Sequence, residues 1–391
     1  MRESWTHRMT SNEMAGRGDL GSILAMNNQY NQYELELRAP PFAGPDTMLR
    51  RTATLPAIIP GELPVDQAGV RSRAQKAPPS LLPAGINVSD AFRLTLVQCR
   101  WHVAANAAVF VDSREPEAIH QLRVGLRRLR VALTSFGGEF RAPQFEAVRL
   151  RAKDLAQQLA PARDLDVFVS ELLEPVANAN GSQDAFAVLR RRAEEARKLA
   201  FGEAFAVVSG PRLRMFMRDV SDVTDGRGWT FPPGRAGAVA GVRAYDVSAR
   251  IVAERILSHR YKQACRRARH LDRLSAAERH TLRIELKKLR YTAEFYLPFF
   301  DAVQARKFLS RLARMQDVLG AVNDVAVAKH ILEKFVASAE AGDGVSANNV
   351  SFVAGLVYGW HLERAALTWR EAVERWKKFA RTRTFWTSSA S

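Results

Sequence analysis

The sequence predicts an all-α protein built on an internal repeat, and three observations carry that prediction. Helical periodicity starts at Ser89 and continues to about residue 380, and no run after residue 87 demands a β-strand. The segment His120–Arg130, HQLRVGLRRLR, returns 160 residues later as His280–Arg290, HTLRIELKKLR, with six of eleven positions identical and two more exchanging Arg for Lys. A second pair of landmarks keeps the same offset: Leu159-Ala160-Pro161-Ala162-Arg163-Asp164 stands opposite Leu319-Gly320-Ala321-Val322-Asn323-Asp324. Two landmarks in one register mark a duplication.

The elements follow in order. Ser89-Asp90 reads as an N-cap, and the first helix runs to about Val111. Asp112, Ser113 and Pro116 mark a turn and a new start. The helix carrying His120–Arg130 ends at Gly137-Gly138. A third helix spans about 143–160 and stops at Pro161, and a fourth covers about 163–177. The loop 178–182 leads to a charged helix over about 183–207 and a short one near 211–221. The Gly- and Pro-rich stretch 222–241 reads as the hinge between halves. The second half repeats the plan. A long helix covers about 245–270, and Ser275 caps the helix of His280–Arg290, which ends near Pro298. Another spans about 301–319, Gly320 breaks it, the next covers about 323–340, and after the loop 341–349 a last long helix reaches about 380.

On a helix the repeated segment has two faces. Leu122, Leu126, Leu129 and Leu133 fall in a stripe about 60° wide, a core-facing seam. His120, Arg123, Arg127 and Arg130 fall in a second stripe about 80° wide, centred roughly 110° from the first. The second copy repeats both, with Leu282, Leu286, Leu289 and Ala293 as the seam and His280, Arg283, Lys287 and Arg290 as the basic stripe. Stacked cations repel one another, so acidic neighbours or an anionic ligand should offset them. A solvated face need not repeat its histidine and its cations, which favours the ligand. Asp164 and Asp324 each follow the expected helix break. They read first as N-cap or first-turn carboxylates, and second as groups that orient an arginine of the His-bearing helix.

Composition narrows the function. The 391 residues are 47% apolar and 25% charged, enough for two or more core-bearing units. The net charge is +17, which points to a polyanionic partner. Residues 1–86 hold nine basic and eight acidic side chains, so the excess lies in the folded part. Cys99 and Cys265 are too few for a disulfide framework or a four-Cys metal site and read as core thiols. No signal peptide and no span of transmembrane length is present, which predicts a cytoplasmic protein. Residues 1–86 read as poorly ordered, with nine prolines from Pro40 to Pro83 and one strand-like island, Tyr33–Arg38.

His120-x-x-Arg123 with Arg127-Arg128-x-Arg130, the second copy ending Lys287-Lys288-Leu289-Arg290-Tyr291, and the downstream Asp164 and Asp324 together resemble the CHAD family, named for a histidine-marked α-helical domain. The resemblance covers about residues 87–380 and sets a domain of 87–385, with halves of about 87–221 and 244–380. It implies two four-helix-bundle-like halves related by a pseudo-twofold axis, with basic residues lining a groove between them. It also implies inorganic polyphosphate as partner, bound without catalysis, and an association with polyphosphate granules. The contacts it implies are His120, Arg123, Arg127, Arg128, Arg130, His280, Arg283, Lys287, Lys288, Arg290 and Tyr291, with Asp164 and Asp324 orienting them. No cofactor, metal ion or specific nucleic acid is implied, and a homodimer is left open. Glu34-Leu35-Glu36-Leu37-Arg38 is similar to the E-x-E-x-K strand that begins a CYTH domain, the tunnel barrel of triphosphate-processing enzymes. Fewer than 50 residues separate it from the helical domain, too few for that barrel, so it reads as a CYTH remnant without triphosphatase activity.

Three other readings stand beside this one. A triphosphatase or polyphosphatase would need clustered carboxylates for metal ions, and only Glu34 and Glu36 hint at them. A nucleic-acid binder would show zinc-finger spacing, a glycine-aromatic RNA motif or a helix-turn-helix signal, and the sequence shows none. A histidine metal site would place a second His or Cys at i+3 or i+4 from His120 or His280.

Overall fold

The computed structural model describes residues 73–136, 140, 142–180, 184–225, 247–338 and 346–387, all within the unit Ala57–Ser391. The strand-like island at 33–38 and most of the expected hinge lie outside the described residues. The described residues form an all-α fold. Its helices are α1 (Val88–Ser113), α2 (Pro116–Phe136), α3 (Pro143–Gln158), α4 (Ala160–Val167), α5 (Glu174–Ala179), α6 (Asp184–Ser209), α7 (Pro211–Asp225), α8 (Ala249–Arg267), α9 (Ala276–Tyr296), α10 (Ala302–Ala337) and α11 (Ala347–Ala380). A π-helical turn, Phe168–Leu173, joins α4 to α5.

Caps and prolines explain the boundaries. Asn87, not Ser89 or Asp90, caps α1: its Oδ1 accepts from the Asp90 amide at 2.9 Å. Ser275 caps α9 in a capping box with Glu278, as the sequence predicts. The expected break at Gly320 is absent, and α10 runs unbroken for 36 residues. A lone glycine costs a helix only about 1 kcal/mol, which neighbouring packing outweighs. Pro161 does mark a joint, because α3 ends at Gln158 and proline occupies the first turn of α4. Its counterpart 160 residues on is Ala321, so the second half has one helix where the first has several. Likewise α6 ends before Gly210-Pro211, whereas α11 continues through the matching Arg370-Glu371.

The packed domain begins earlier than residue 87. The amide of Ala74 donates to Glu115 at 2.9 Å, and that of Gln75 to Asn106 Oδ1 at 2.9 Å. Ser80 Oγ donates to the Phe295 carbonyl at 2.6 Å, and Leu82 is buried. An extended proline-containing strap therefore lies on α1, its polar backbone met by side chains of the bundle.

Both leucine seams enter the interior: Leu122, Leu126, Leu129, Leu282, Leu286, Leu289 and Ala293 are fully buried, and Leu133 nearly so. Each such leucine contributes roughly 2 kcal/mol by area. The two copies of the basic helix lie side by side, parallel and in register. Arg127 reaches Tyr291, Ser135 Oγ lies 3.2 Å from Thr292 Oγ1, and the rings of Phe136 and Tyr296 meet at a tilt of 56° with centroids 5.2 Å apart. At their starts the repeats are tied by Val88 N donating to Val247 O (2.9 Å) and Ala249 N to Ile86 O (3.0 Å).

Two apolar cores form, and each draws on both halves. The larger takes residues of α1–α3, the C-terminal part of α6, α7, α8, α9, the first half of α10 and the end of α11. The smaller takes Phe168–Ala177, Ala185–Ala193, Ala328–Leu332 and Val353–Val357. Along α4, α6, α10 and α11 the chain passes from one core to the other. The stretch between them holds Arg163, Asp164, Asp166, Arg197, Asn323 and Asp324.

Candidate functional site

The basic stripes of α2 and α9 meet at this polar waist. His120 sits among Arg163, Arg127, Lys287 and Arg123; burial first, and then these cations, push its imidazole pKa down to about 3. Lys287 projects into the same space. Burial, then Arg127 and Arg283, push its ammonium down to about 6, and Asp324 opposes them. Arg123 is lowered to about 10 by burial, with Asp164 holding it up, and its Nη1 donates to the Ala156 carbonyl at 2.5 Å. Arg283 is lowered by burial against the pull of Asp324, and its Nε is buried without a hydrogen-bond partner. Arg127 Nη1 donates to the Tyr291 hydroxyl across the interface at 3.4 Å. Arg130 continues the stripe: burial, Arg149 and Arg127 lower it, and its Nε too lacks a partner.

Asp164 and Asp324 do not cap helices. The N-cap of α4 is Leu159, with no side-chain capping bond, and Asp324 lies mid-helix in α10. The first-turn reading fails because it depended on breaks at Pro161 and Gly320, of which the second is missing. Both carboxylates instead face the cations: Asp164 acts chiefly on Arg123, and Arg283 chiefly on Asp324. Burial raises the pKa of each, and these arginines lower it. The pairing repeats exactly with the 160-residue offset. Gly320 belongs here too, since a Cβ at that position would lie 3.9 Å from Arg283 Nη2.

The sequence pattern of the CHAD domain matches residues 95–333, more than half of the chain and a span holding both copies of the basic helix. The chain belongs to the CHAD domain family. The crystal structure of the CHAD domain from the plant Ricinus communis matches with a TM-score of 0.63 at 24% identity, over 80% of this chain and 98% of that one. PptA from Streptomyces chartreusis matches with a TM-score of 0.53 at 17% identity, over 74% of this chain and 99% of the other. At these identities the likeness is one of fold. No curated protein matches the chain.

Not every residue that the CHAD resemblance nominated reaches the waist. Arg128 is buried elsewhere: it pairs with Glu294 and lies over the rings of Phe295 (4.9 Å) and Tyr291 (5.6 Å). Lys288 pairs with Glu285 at 2.7 Å. Arg290 pairs with Glu294 at 2.8 Å and donates to Gln316 Oε1 at 3.2 Å. These three are occupied by the fold. His280 is exposed and donates through Nδ1 to Asn323 Oδ1 at 2.9 Å, so the two histidines sit in different surroundings. Tyr291 is buried and offers its hydroxyl to Arg127. Arg163, outside both basic stripes, also lies next to His120, and its place beside Asp164 in the second landmark is the sequence signal for it. Among the described residues no helix is long and apolar enough to cross a membrane.

The waist thus gathers Arg123, Arg127, Arg130, Arg283 and Lys287, with Asp164 and Asp324 as the carboxylates that act on Arg123, Arg283 and Lys287. Burial and mutual repulsion both work against the charged forms. Such a site gains most from an anion that brings several charges into reach of fixed guanidinium groups.

Proposed function

We propose that this CHAD domain binds inorganic polyphosphate at the waist between its cores and does not hydrolyse it. The observation that carries this reading is the excess of cations over carboxylates in one half-buried space, with Nε of Arg130 and of Arg283 left without partners. Polyphosphate has about one charge per residue and no bases. Arginine offers its oxygens a planar fork and lysine a compact charge. Binding of this kind weakens steeply with salt. His120 stands among four cations as a neutral imidazole, able to give one hydrogen bond to a phosphate oxygen. We place the activity at cytoplasmic polyphosphate granules.

The test is charge reversal, Arg127→Glu with Lys287→Glu, in titrations with long-chain polyphosphate. A carboxylate in place of Arg127 and another in place of the half-buried Lys287 should lower affinity by about 100-fold or more while helicity is kept. Unchanged binding by a folded double variant overturns the assignment. Phosphate release with Mg²⁺ or Mn²⁺ would favour the hydrolase reading. Equal competition by duplex DNA at ~150 mM salt would make the site a generic polyanion binder.

A further inference from the structure

Between the two basic helices arginine becomes lysine at two places: Arg127 matches Lys287, and Arg128 matches Lys288. The second exchange is neutralised on both sides, since Glu294 holds Arg128 and Glu285 holds Lys288 at 2.7 Å. The first is not. Lys287 is in ion-pair contact with no described carboxylate, and His120, Arg123 and Arg127 of α2 and Arg283 of α9 face it. Asp324 of α10 is the carboxylate that opposes them. A guanidinium keeps its proton in such company, whereas an ammonium can shed it and expose a lone pair. Burial beside cations turns a lysine into a nucleophile. With its pKa pushed down to about 6, Lys287 stands as the free amine at neutral pH. Its side chain is only partly buried, so small solutes reach it. Beside Arg283 the space is open: the backbone of α10 aside, the one described heavy atom within 4 Å of a Cβ on Gly320 is Arg283 Nη2, at 3.9 Å.

The arginines that strip this proton are also the groups that hold phosphate. A solute that joins a phosphate to an electrophilic carbon would bring both beside the amine. In a phosphorylated aldehyde the phosphate is only a handle. In an acyl phosphate it is also the leaving group, so the arginines bind it before reaction and stabilise the charge that gathers on its oxygen as the bond breaks. We propose that Lys287 is an acylation site, which takes the acyl group of a small acyl phosphate seated on Arg127 and Arg283. The Nζ lone pair attacks the carbonyl carbon and the N–C bond forms. The C–O bond to the phosphoryl group breaks, and its electron pair stays on the phosphate oxygen. The proton lost by nitrogen leaves with the phosphate as HPO4²⁻. The amide cannot be protonated, so the waist loses a cation that a bound polyanion would restore. The inference rests on the reading of the waist as a phosphate site and adds a covalent reaction to it.

The experiment treats the full chain with acetyl phosphate and reads each lysine by peptide mass spectrometry, with and without long-chain polyphosphate. A parallel reaction uses acetic anhydride, which carries no phosphate. With acetyl phosphate Lys287 should react about tenfold faster than the exposed Lys153, and acetic anhydride should narrow that ratio. The Lys287 rate should be nearly flat between about pH 7 and 9. Polyphosphate should slow Lys287 by about tenfold and leave Lys153 unchanged. Equal rates at the two lysines, the same ratio with both reagents, or a Lys287 rate that climbs about tenfold per pH unit across that range overturns the proposal. Polyphosphate titrations are read separately, and binding there keeps the polyphosphate reading standing after such a result. Selective acetylation of Lys287 in a protein that binds no polyphosphate supports the acylation site and overturns the polyphosphate reading instead.

Discussion

In α9, Glu285 and Glu294 hold Lys288 and Arg290; at the matching places in α2 stand Gly125 and Thr134. The two helices therefore carry nearly the same cations with different counter-charges. Packing accounts for the first exchange. A Cβ on Gly125 would lie 2.9 Å from Val103 Cγ2 and 3.3 Å from the Val103 amide nitrogen, so α1 comes too close for any side chain there. Glu294 then serves both copies, since it takes Arg128 of the first as well as Arg290 of its own. The copies differ most at the end of the basic stripe, where Arg290 is paired with Glu294 and Arg130 is in ion-pair contact with no described carboxylate.

Exchanging residues between the copies is the direct way to break this comparison. Glu294→Thr should have the largest effect. It strands the buried Arg128, which should cost about 3 kcal/mol in denaturant unfolding; a cost under about 1 kcal/mol would mean that the shared carboxylate is not structural. Lys287 comes next. Its folded pKa, about 6, lies below its ordinary 10.5, so between these values the unfolded chain holds a proton that the folded one has released. Stability should therefore rise with pH across that window, by up to about 1.4 kcal/mol per unit. Lys287→Met should remove this slope and stabilise the ligand-free domain near neutral pH while weakening polyphosphate binding. Equal slopes in wild type and variant would show that Lys287 keeps its proton. Gly125→Ala sets a collision of about 1–3 kcal/mol against a helix-propensity gain of about 1 kcal/mol. A net loss of about 1 kcal/mol is expected, and a gain in stability would show that α1 can give way. The smallest change is Thr134→Glu, which gives Arg130 the carboxylate its counterpart has. Stability should move by less than about 0.5 kcal/mol and polyphosphate affinity should fall about threefold.

The repeat, the leucine seams and the basic stripe were all legible in the sequence, because each is a spacing on one helix and survives translation into three dimensions unchanged. The wheel also held a warning. Arg128 and Lys288 fall roughly 120° from the centre of the basic stripe, on the side away from the leucine seam. Family likeness nominated them, whereas helical geometry alone would have sent them elsewhere. The joints were less legible. Pro161 interrupts the first half because the ring cannot continue the ladder. Gly320 interrupts nothing, because its cost is small beside the packing of α10. The lopsided neutralisation could have been read from Glu285 and Glu294, at i−3 from Lys288 and i+4 from Arg290. What no spacing could show is that Glu294 also crosses to Arg128, or that Asp164 and Asp324 converge on one space, since both depend on how distant segments pack.

Each of the two cores takes side chains from both repeats. A single repeat of about 160 residues, expressed alone, would present two half-built apolar surfaces and would have to associate with a second copy to bury them. The covalent link between the repeats turns that association into an internal event at high effective concentration. It also frees the two copies to diverge, as a symmetric dimer of one gene product cannot. Gly125 opposite Glu285, and Thr134 opposite Glu294, are the record of that freedom.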